Sequence, residues 1–144
     1  DDAGHYALMS CHFEEMIWDL VPGLMDSELP KPETFQIIGT SGTITTVAAS
    51  HLGLKRYQRD LVDGLNMSST EISAVVDRYL RLGPKGRLKD PFVGKERWEL
   101  IMAGSAILQS ILRVWPTEKL TVADRGLREG MLYSQMAEAG VLQE

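Results

Sequence analysis

Phe35-Gln36-Ile37-Ile38-Gly39-Thr40-Ser41-Gly42-Thr43-Ile44-Thr45-Thr46-Val47-Ala48-Ala49 is the stretch that decides the fold. Its apolar start, residues 35–38, predicts a buried strand, which breaks at Gly39 into a hydroxyl-rich loop that opens a helix. Such a loop can cradle an anion. Gly39 and Gly42 permit close approach and positive φ, while loop amides, Ser/Thr hydroxyls and the helix dipole converge on one place. The spacing is neither a P-loop, since no Lys-Ser/Thr pair closes it, nor GxGxxG. An ordinary strand-to-helix turn with Thr40 or Ser41 as N-cap is the competing reading. The hydroxyls between Thr40 and Thr46 exceed what a cap needs.

Gly39-Thr40-Ser41-Gly42-Thr43-Ile44-Thr45-Thr46 is followed by His51-Leu52-Gly53-Leu54-Lys55-Arg56-Tyr57. Far downstream comes Ala123-Asp124-Arg125-Gly126-Leu127-Arg128-Glu129-Gly130-Met131-Leu132. In this order and at these separations the three blocks resemble the exopolyphosphatase / guanosine pentaphosphate phosphohydrolase (Ppx/GppA) family. The resemblance implies an α/β fold: part of an actin-like ATPase (ribonuclease H-like) lobe, helix-rich, with two short parallel strands. It also implies removal of terminal phosphate from inorganic polyphosphate or guanosine pentaphosphate with magnesium or another divalent metal. Only the C-terminal part of the second lobe is covered, so residues 1–144 are expected to be a single domain that is a fragment of that lobe. The family's first lobe, its Asp-x-Gly-Gly-Gly-Ser loop and its catalytic acid belong upstream of Asp1. The chain alone is therefore expected to be inactive, to bind no metal itself, and to contribute no catalytic residue. Gly39, Thr40, Ser41, Gly42 and Thr43 are the expected phosphate- or nucleotide-binding residues, with Arg56, Arg59, Arg125 and Arg128 as possible polyanion contacts.

With 144 residues, 44% of them hydrophobic, the chain can bury one core. A net charge of −5 argues against a nonspecific nucleic-acid or anionic-membrane surface. One cysteine, Cys11, cannot form an internal disulfide, which suits a reducing cytoplasm. No apolar run reaches membrane-span length and no signal sequence opens the chain. A start at Asp1-Asp2-Ala3, without methionine, suggests a processed or truncated product.

Tyr6, Met9, Phe13, Met16, Ile17 and Leu20 recur at helical steps and predict a helix over 4–21, ended by Pro22-Gly23. His5 and His12, with Cys11 nearby, allow a metal site to be imagined, but no third ligand has metal-site spacing, and surface or half-buried helix positions are the stronger reading. Residues 26–33, with two prolines, predict an extended linker. The second helix runs to about Leu52, capped by Gly53. Lys55, Arg56 and Arg59 read as a solvated loop or as an extension of a polyanion path. Asn66-Met67 reads as a loop, and Ser68 with Glu71 as a capping box for a helix closed by Gly83-Pro84. Residues 85–91 read as an exposed basic connector.

A long helix over 95–114 is expected to be the central core helix, its small Ala103-Gly104-Ser105-Ala106 run admitting a close neighbour. A second strand, 120–124, and a last helix, 127–139, stopped by Gly140, complete the pattern. Asp124, at a strand's carboxyl end, reads as ligand-facing or as a turn residue. Two parallel strands are too few to stand alone and leave an edge for another strand, from the missing lobe of the same protein, a partner chain or a homodimer. The rival functions are a stand-alone anion- or nucleotide-binding module and a structural or dimerisation segment.

Overall fold

The computed structural model describes residues 1–25 and 36–142. The expected linker over 26–33, and Phe35 of the expected strand, lie outside them.

Among the described residues the sheet has three strands, not two. β1 (Ile37–Thr40) runs parallel to β3 (Leu120–Ala123), with Ile37 opposite Leu120 and Thr40 opposite Ala123. On the other side of β3, β2 (Asn66–Met67) pairs antiparallel, Met67 opposite Leu120. The expected loop at Asn66-Met67 is thus a strand. Its short sequence hides this, but Gly64 N–H donates to the Val122 carbonyl and Val122 N–H to the Leu65 carbonyl, extending the pairing. β3 is therefore central, and β1 is an edge strand.

β3 alternates as half-buried strands do, Leu120 and Val122 being fully buried. β1 alternates too, which corrects the expectation of a buried strand, because Ile38 is 61% exposed. Gly39 faces inward. A Cβ there would lie 2.9 Å from Ile44 Cγ1 and 3.2 Å from Leu120 Cδ2, so glycine lets the following helix lie close on the sheet.

That helix, α2 (Gly42–His51), is buried from Ile44 to Ser50. It occupies the place expected for the 95–114 helix. The latter divides into α5 (Gly94–Arg97) and α6 (Leu100–Val114), and α6 keeps Leu100 and Ile107 exposed. The break coincides with the Trp98 carbonyl accepting from Arg87 Nε. As the small-residue run predicts, α6 receives α2 closely, with the Thr43 side chain filling the space where Gly104 lacks a Cβ.

α1 (Asp2–Met25) packs along α6 and continues through Pro22, past the expected stop. Pro22 forfeits only the bond to the Trp18 carbonyl, and buried Val21 beside it anchors the turn. The capping box of α4 (Ser69–Lys89) is present, Glu71 N–H donating to Ser68 Oγ and Ser68 N–H to Glu71 Oε2. Gly83-Pro84 kinks α4 rather than closing it. Gly83 takes φ 62°, and Pro84 is tolerated as the start of a new helical run. The run read as an exposed connector is therefore helical as far as Lys89 and turns Arg87 inward. Arg87 is 2% exposed and bonds both Asp2 carboxylate oxygens at 2.7 and 2.9 Å. Beyond α4, buried Asp90 accepts from Arg78 and from the Phe92 and Val93 amides, fixing the turn into α5.

The short α3 (Arg59–Val62) precedes β2, and α7 (Leu127–Glu138) follows β3. Among the described residues, no helix is long and apolar enough to cross a membrane.

Candidate functional site

β1 and β3 are parallel neighbours, so their carboxyl ends open side by side, the usual place for ligands in α/β sheets. At the end of β1 the backbone is under strain. Ser41 holds φ 83° and ψ 178°, a region that residues other than glycine rarely enter. Gly39 and Gly42, expected to supply positive φ, do not. Ser41 stays there because its carbonyl accepts both Thr45 N–H (3.3 Å) and Thr45 Oγ1 (3.1 Å).

The strain turns the chain directly into α2, and no side chain caps that helix. Its first turn carries no acidic residue, so the leading amides and the positive end of the dipole are left without a side-chain partner. Arg97, from α5, lies against this turn. Its Nη1 donates to the Gly42 carbonyl (3.1 Å) and to Thr46 Oγ1 (3.0 Å).

The β3–α7 turn faces the β1–α2 turn, and the two are joined: Thr40 Oγ1 donates to the Arg125 carbonyl at 2.8 Å. Between them lies a cleft of about 740 Å³, lined by Thr40, Ser41, Tyr57, Arg59 and residues 124–129. α3 closes one side through two crossed ion pairs. Arg59 Nε lies 3.3 Å from Asp124 Oδ2, and Arg125 Nε lies 3.4 Å from Asp63 Oδ2. Arg59 also donates to the Asp124 carbonyl, and Asp124 N–H to Asp63 Oδ1.

The model of the Ppx/GppA phosphatase family matches residues 12–139 of this chain. The chain belongs to that family.

Among curated proteins, a Haemophilus influenzae relative, provisionally named an exopolyphosphatase, is 26% identical over 98 residues, or 68% of this chain and 28% of that protein. The crystal structure of the Aquifex aeolicus family member is 26% identical and superposes with a TM-score of 0.71 over 93% of this chain and 40% of that one. An exopolyphosphatase from Cytophaga hutchinsonii, 20% identical, shares the fold with a TM-score of 0.73 over 94% of this chain and 42% of that one. The fold is thus the helix-rich α/β, actin-like one of the family, and the chain spans well under half the length of these relatives.

The cleft of this family member gathers some of the expected site residues and not others. Thr40, Ser41, Arg59, Arg125 and Arg128 line it. Gly42 and Thr43, with Ser41, border a smaller cavity of about 190 Å³ against Arg97, Leu100 and Ile101. Gly39 is committed to packing under α2. Arg56 is exposed and is not among the cleft's lining residues. Of the cations on the cleft, Arg59 and Arg125 are paired with carboxylates, whereas Arg128 forms no ion pair with any described residue.

Three contributors escape sequence reasoning. Arg97 sits in a charged helix start that reads as surface, Asp63 precedes Gly64 as a turn residue would, and Tyr57 reads as part of a loop. Tyr57 lines both this cleft and a neighbouring cavity of about 600 Å³ beside Thr45, Thr46 and Arg97. Although 43% of the residue is exposed, partial burial and then the neighbouring Asp124 carboxylate push the phenol up to about 12. It stays a neutral hydrogen-bonding group at any physiological pH. Glu129 accepts from Gly126 N–H, which holds its carboxyl below the ordinary range and places negative charge at the start of α7. α7 thereby differs from α2, whose amino end keeps no such side chain.

The described residues contain no group of three or more His, Cys, Asp or Glu placed to hold a metal ion. His5, Cys11 and His12 are each exposed on α1 and are not gathered into one.

Proposed function

We propose that this chain is one part, a fragment of the second lobe, of a phosphatase that removes terminal phosphate from inorganic polyphosphate or guanosine pentaphosphate. Its contribution is binding. Gly39, Thr40, Ser41, Gly42 and Thr43 form the phosphate-receiving turn, and Arg128 offers an uncommitted cation across the cleft. The observation that carries this reading is the amino end of α2, which has no capping side chain and no acidic residue in its first turn. An oxyanion placed there receives backbone N–H donors and the positive end of the dipole at once.

Residues 1–144 act as one domain on this reading, completed by the first lobe of the same protein or by a partner chain, in a reducing cytoplasm. The family's chemistry calls for a divalent ion such as magnesium, which would polarise the phosphoryl group. Among the described residues no group of three or more His, Cys, Asp or Glu is placed to hold it, and on this reading its ligands belong to the rest of the enzyme. This chain's own residues bind and orient the phosphate, while the Thr40 bond to the Arg125 carbonyl fixes the wall.

A titration of the chain with tripolyphosphate at constant ionic strength tests the proposal, following the amide resonances of residues 39–43. Saturable shifts confined to that turn and to the β3–α7 turn are expected, at about millimolar affinity, or about −4 kcal/mol. Flat resonances in both turns would remove the reading.

A further inference from the structure

Asp63 lies behind the cleft, outside its lining, yet its two carboxylate oxygens hold two different parts of the β3–α7 turn. Oδ1 accepts from the Asp124 backbone N–H at 2.9 Å, and Oδ2 lies 3.4 Å from Arg125 Nε. From the opposite side, the Thr40 hydroxyl holds the Arg125 carbonyl at 2.8 Å. Arg125 is thus gripped from the anion-receiving loop and from the residue that follows α3. The Asp63 side chain is 30% exposed and that of Arg125 is 53% exposed, so the pair sits at the solvent boundary and can exchange partners.

We propose that Asp63 is a positioning residue of the phosphate site, acting as a resident counter-ion. Through Oδ1 it sets the position of the turn, and through Oδ2 it occupies the Arg125 guanidinium until a polyanion in the cleft takes that place. The inference rests on the phosphate-binding reading above and goes beyond it by naming what the incoming anion must displace. The physical reason is that only one of the two carboxylate contacts is open to exchange. A backbone N–H bond of good length has no competitor on the cleft side, whereas an arginine has several donors and can turn toward a multiply charged ligand. Exchange of a carboxylate for a phosphate on arginine leaves the guanidinium charge compensated throughout.

Two substitutions separate the two roles. Asp63→Asn retains an acceptor for the Asp124 N–H and removes the charge facing Arg125; Asp63→Ala removes both. Tripolyphosphate is titrated at constant ionic strength into the unmodified chain and both variants, following the amides of residues 39–43, the Asp124 amide and the Arg125 Nε–H resonance. Asp63→Asn is expected to bind roughly twofold to fivefold more tightly, the range of one exposed ion pair, with the Asp124 amide in place. Asp63→Ala is expected to shift the Asp124 amide before any ligand is added and to bind no better than the unmodified chain.

If both variants tighten binding equally, Asp63 acts only as a charge, and the inference is overturned. If neither changes affinity while residues 39–43 respond normally, the inference alone falls. Unmoved resonances over 39–43 in the unmodified chain remove the phosphate-binding reading and this inference with it.

Discussion

The Thr40 hydroxyl is bonded to the Arg125 carbonyl at 2.8 Å, so residues 85 positions apart fasten the two turns that form the cleft. Thr40→Val keeps the side-chain shape and removes the donor. The bond is exposed, so its loss is expected to cost about 0.5–1 kcal/mol, at the low end for a hydrogen bond. Amide shifts should concentrate at residues 124–126. A chemical-denaturation series with a spectrum of each variant checks both, and shifts spread across the core instead would show that the turns are not coupled through this contact.

Ser41 is held at φ 83° and ψ 178°. Glycine adopts that conformation freely, whereas Ala keeps the Cβ that makes it costly. Ser41→Gly is therefore expected to be more stable than Ser41→Ala by about 1 kcal/mol, after allowing for the greater freedom of glycine in the unfolded chain. Equal midpoints in urea for the two variants would mean that no strain is stored there.

Gly39 and Gly104 are both closed in by side chains around α2. A Cβ on Gly39 would meet Ile44 and Leu120, and one on Gly104 would meet Thr43. Replacement of either by Ala is expected to cost about 1–3 kcal/mol by overpacking. Gly42→Ala meets only the flexible end of Arg97, with Nη1 at 3.0 Å, and is expected to cost less than either. Thermal melts of the three variants rank them, and Gly42→Ala as the least stable would contradict this order.

The Arg87–Asp2 pair links the start of α1 to the end of α4 and gives stability a pH dependence. The hydrogen bond from Arg87 holds the Asp2 carboxyl below its ordinary value. A depressed folded-state value means that the stabilisation is fully present above the unfolded-state value, 3.8, and is lost as pH falls through the folded one. Glu71 and Glu129 are shifted in the same direction by backbone N–H groups, so acid sensitivity remains, reduced, in Asp2→Asn. Arg87→Ala is expected to cost about 3–5 kcal/mol, because it removes a buried group whose nitrogens bond Asp2 and the Tyr79 carbonyl. Unfolding free energies between pH 2 and 6 for both variants decide this; a slope unchanged in Asp2→Asn would remove Asp2 from the account.

β1 presents an outer edge that no described strand pairs, with Ile38 61% exposed upon it. Concentration-dependent self-association of the chain is expected, and Ile38→Lys should reduce it without unfolding the protein. Sedimentation at several concentrations measures the effect, and a monomer throughout would show that the edge does not pair.

The existence of the strands at the cleft and the capping box of α4 were legible because their signals are local: apolar runs beside Gly39 and Asp124, and Ser68 three residues before Glu71. β1, however, does not break at Gly39 but pairs on through Thr40. So was the close approach at Gly104, since four small residues inside a helix need a packing reason. What escaped depends on partners distant in sequence. Asn66-Met67 becomes a strand only because β3 stands beside it, and Arg87 turns inward only because Asp2, 85 residues away, supplies a carboxylate. At the site, the fortunes of the arginines were unreadable for the same reason: Asp63 and Asp124 select Arg125 and Arg59 through three-dimensional proximity, and leave Arg128 to the cleft.

α7 buries none of its twelve residues. A helix of that length is marginal on propensity alone, so its persistence here depends on the Gly126–Glu129 cap and on its tether to β3. Its amides should therefore exchange with solvent through local fraying, while those of β3, a few residues earlier, exchange only when the whole chain unfolds. The cleft wall lies where these two regimes meet, and residues 124–129 form a boundary between a rigid sheet and a segment that frays on its own.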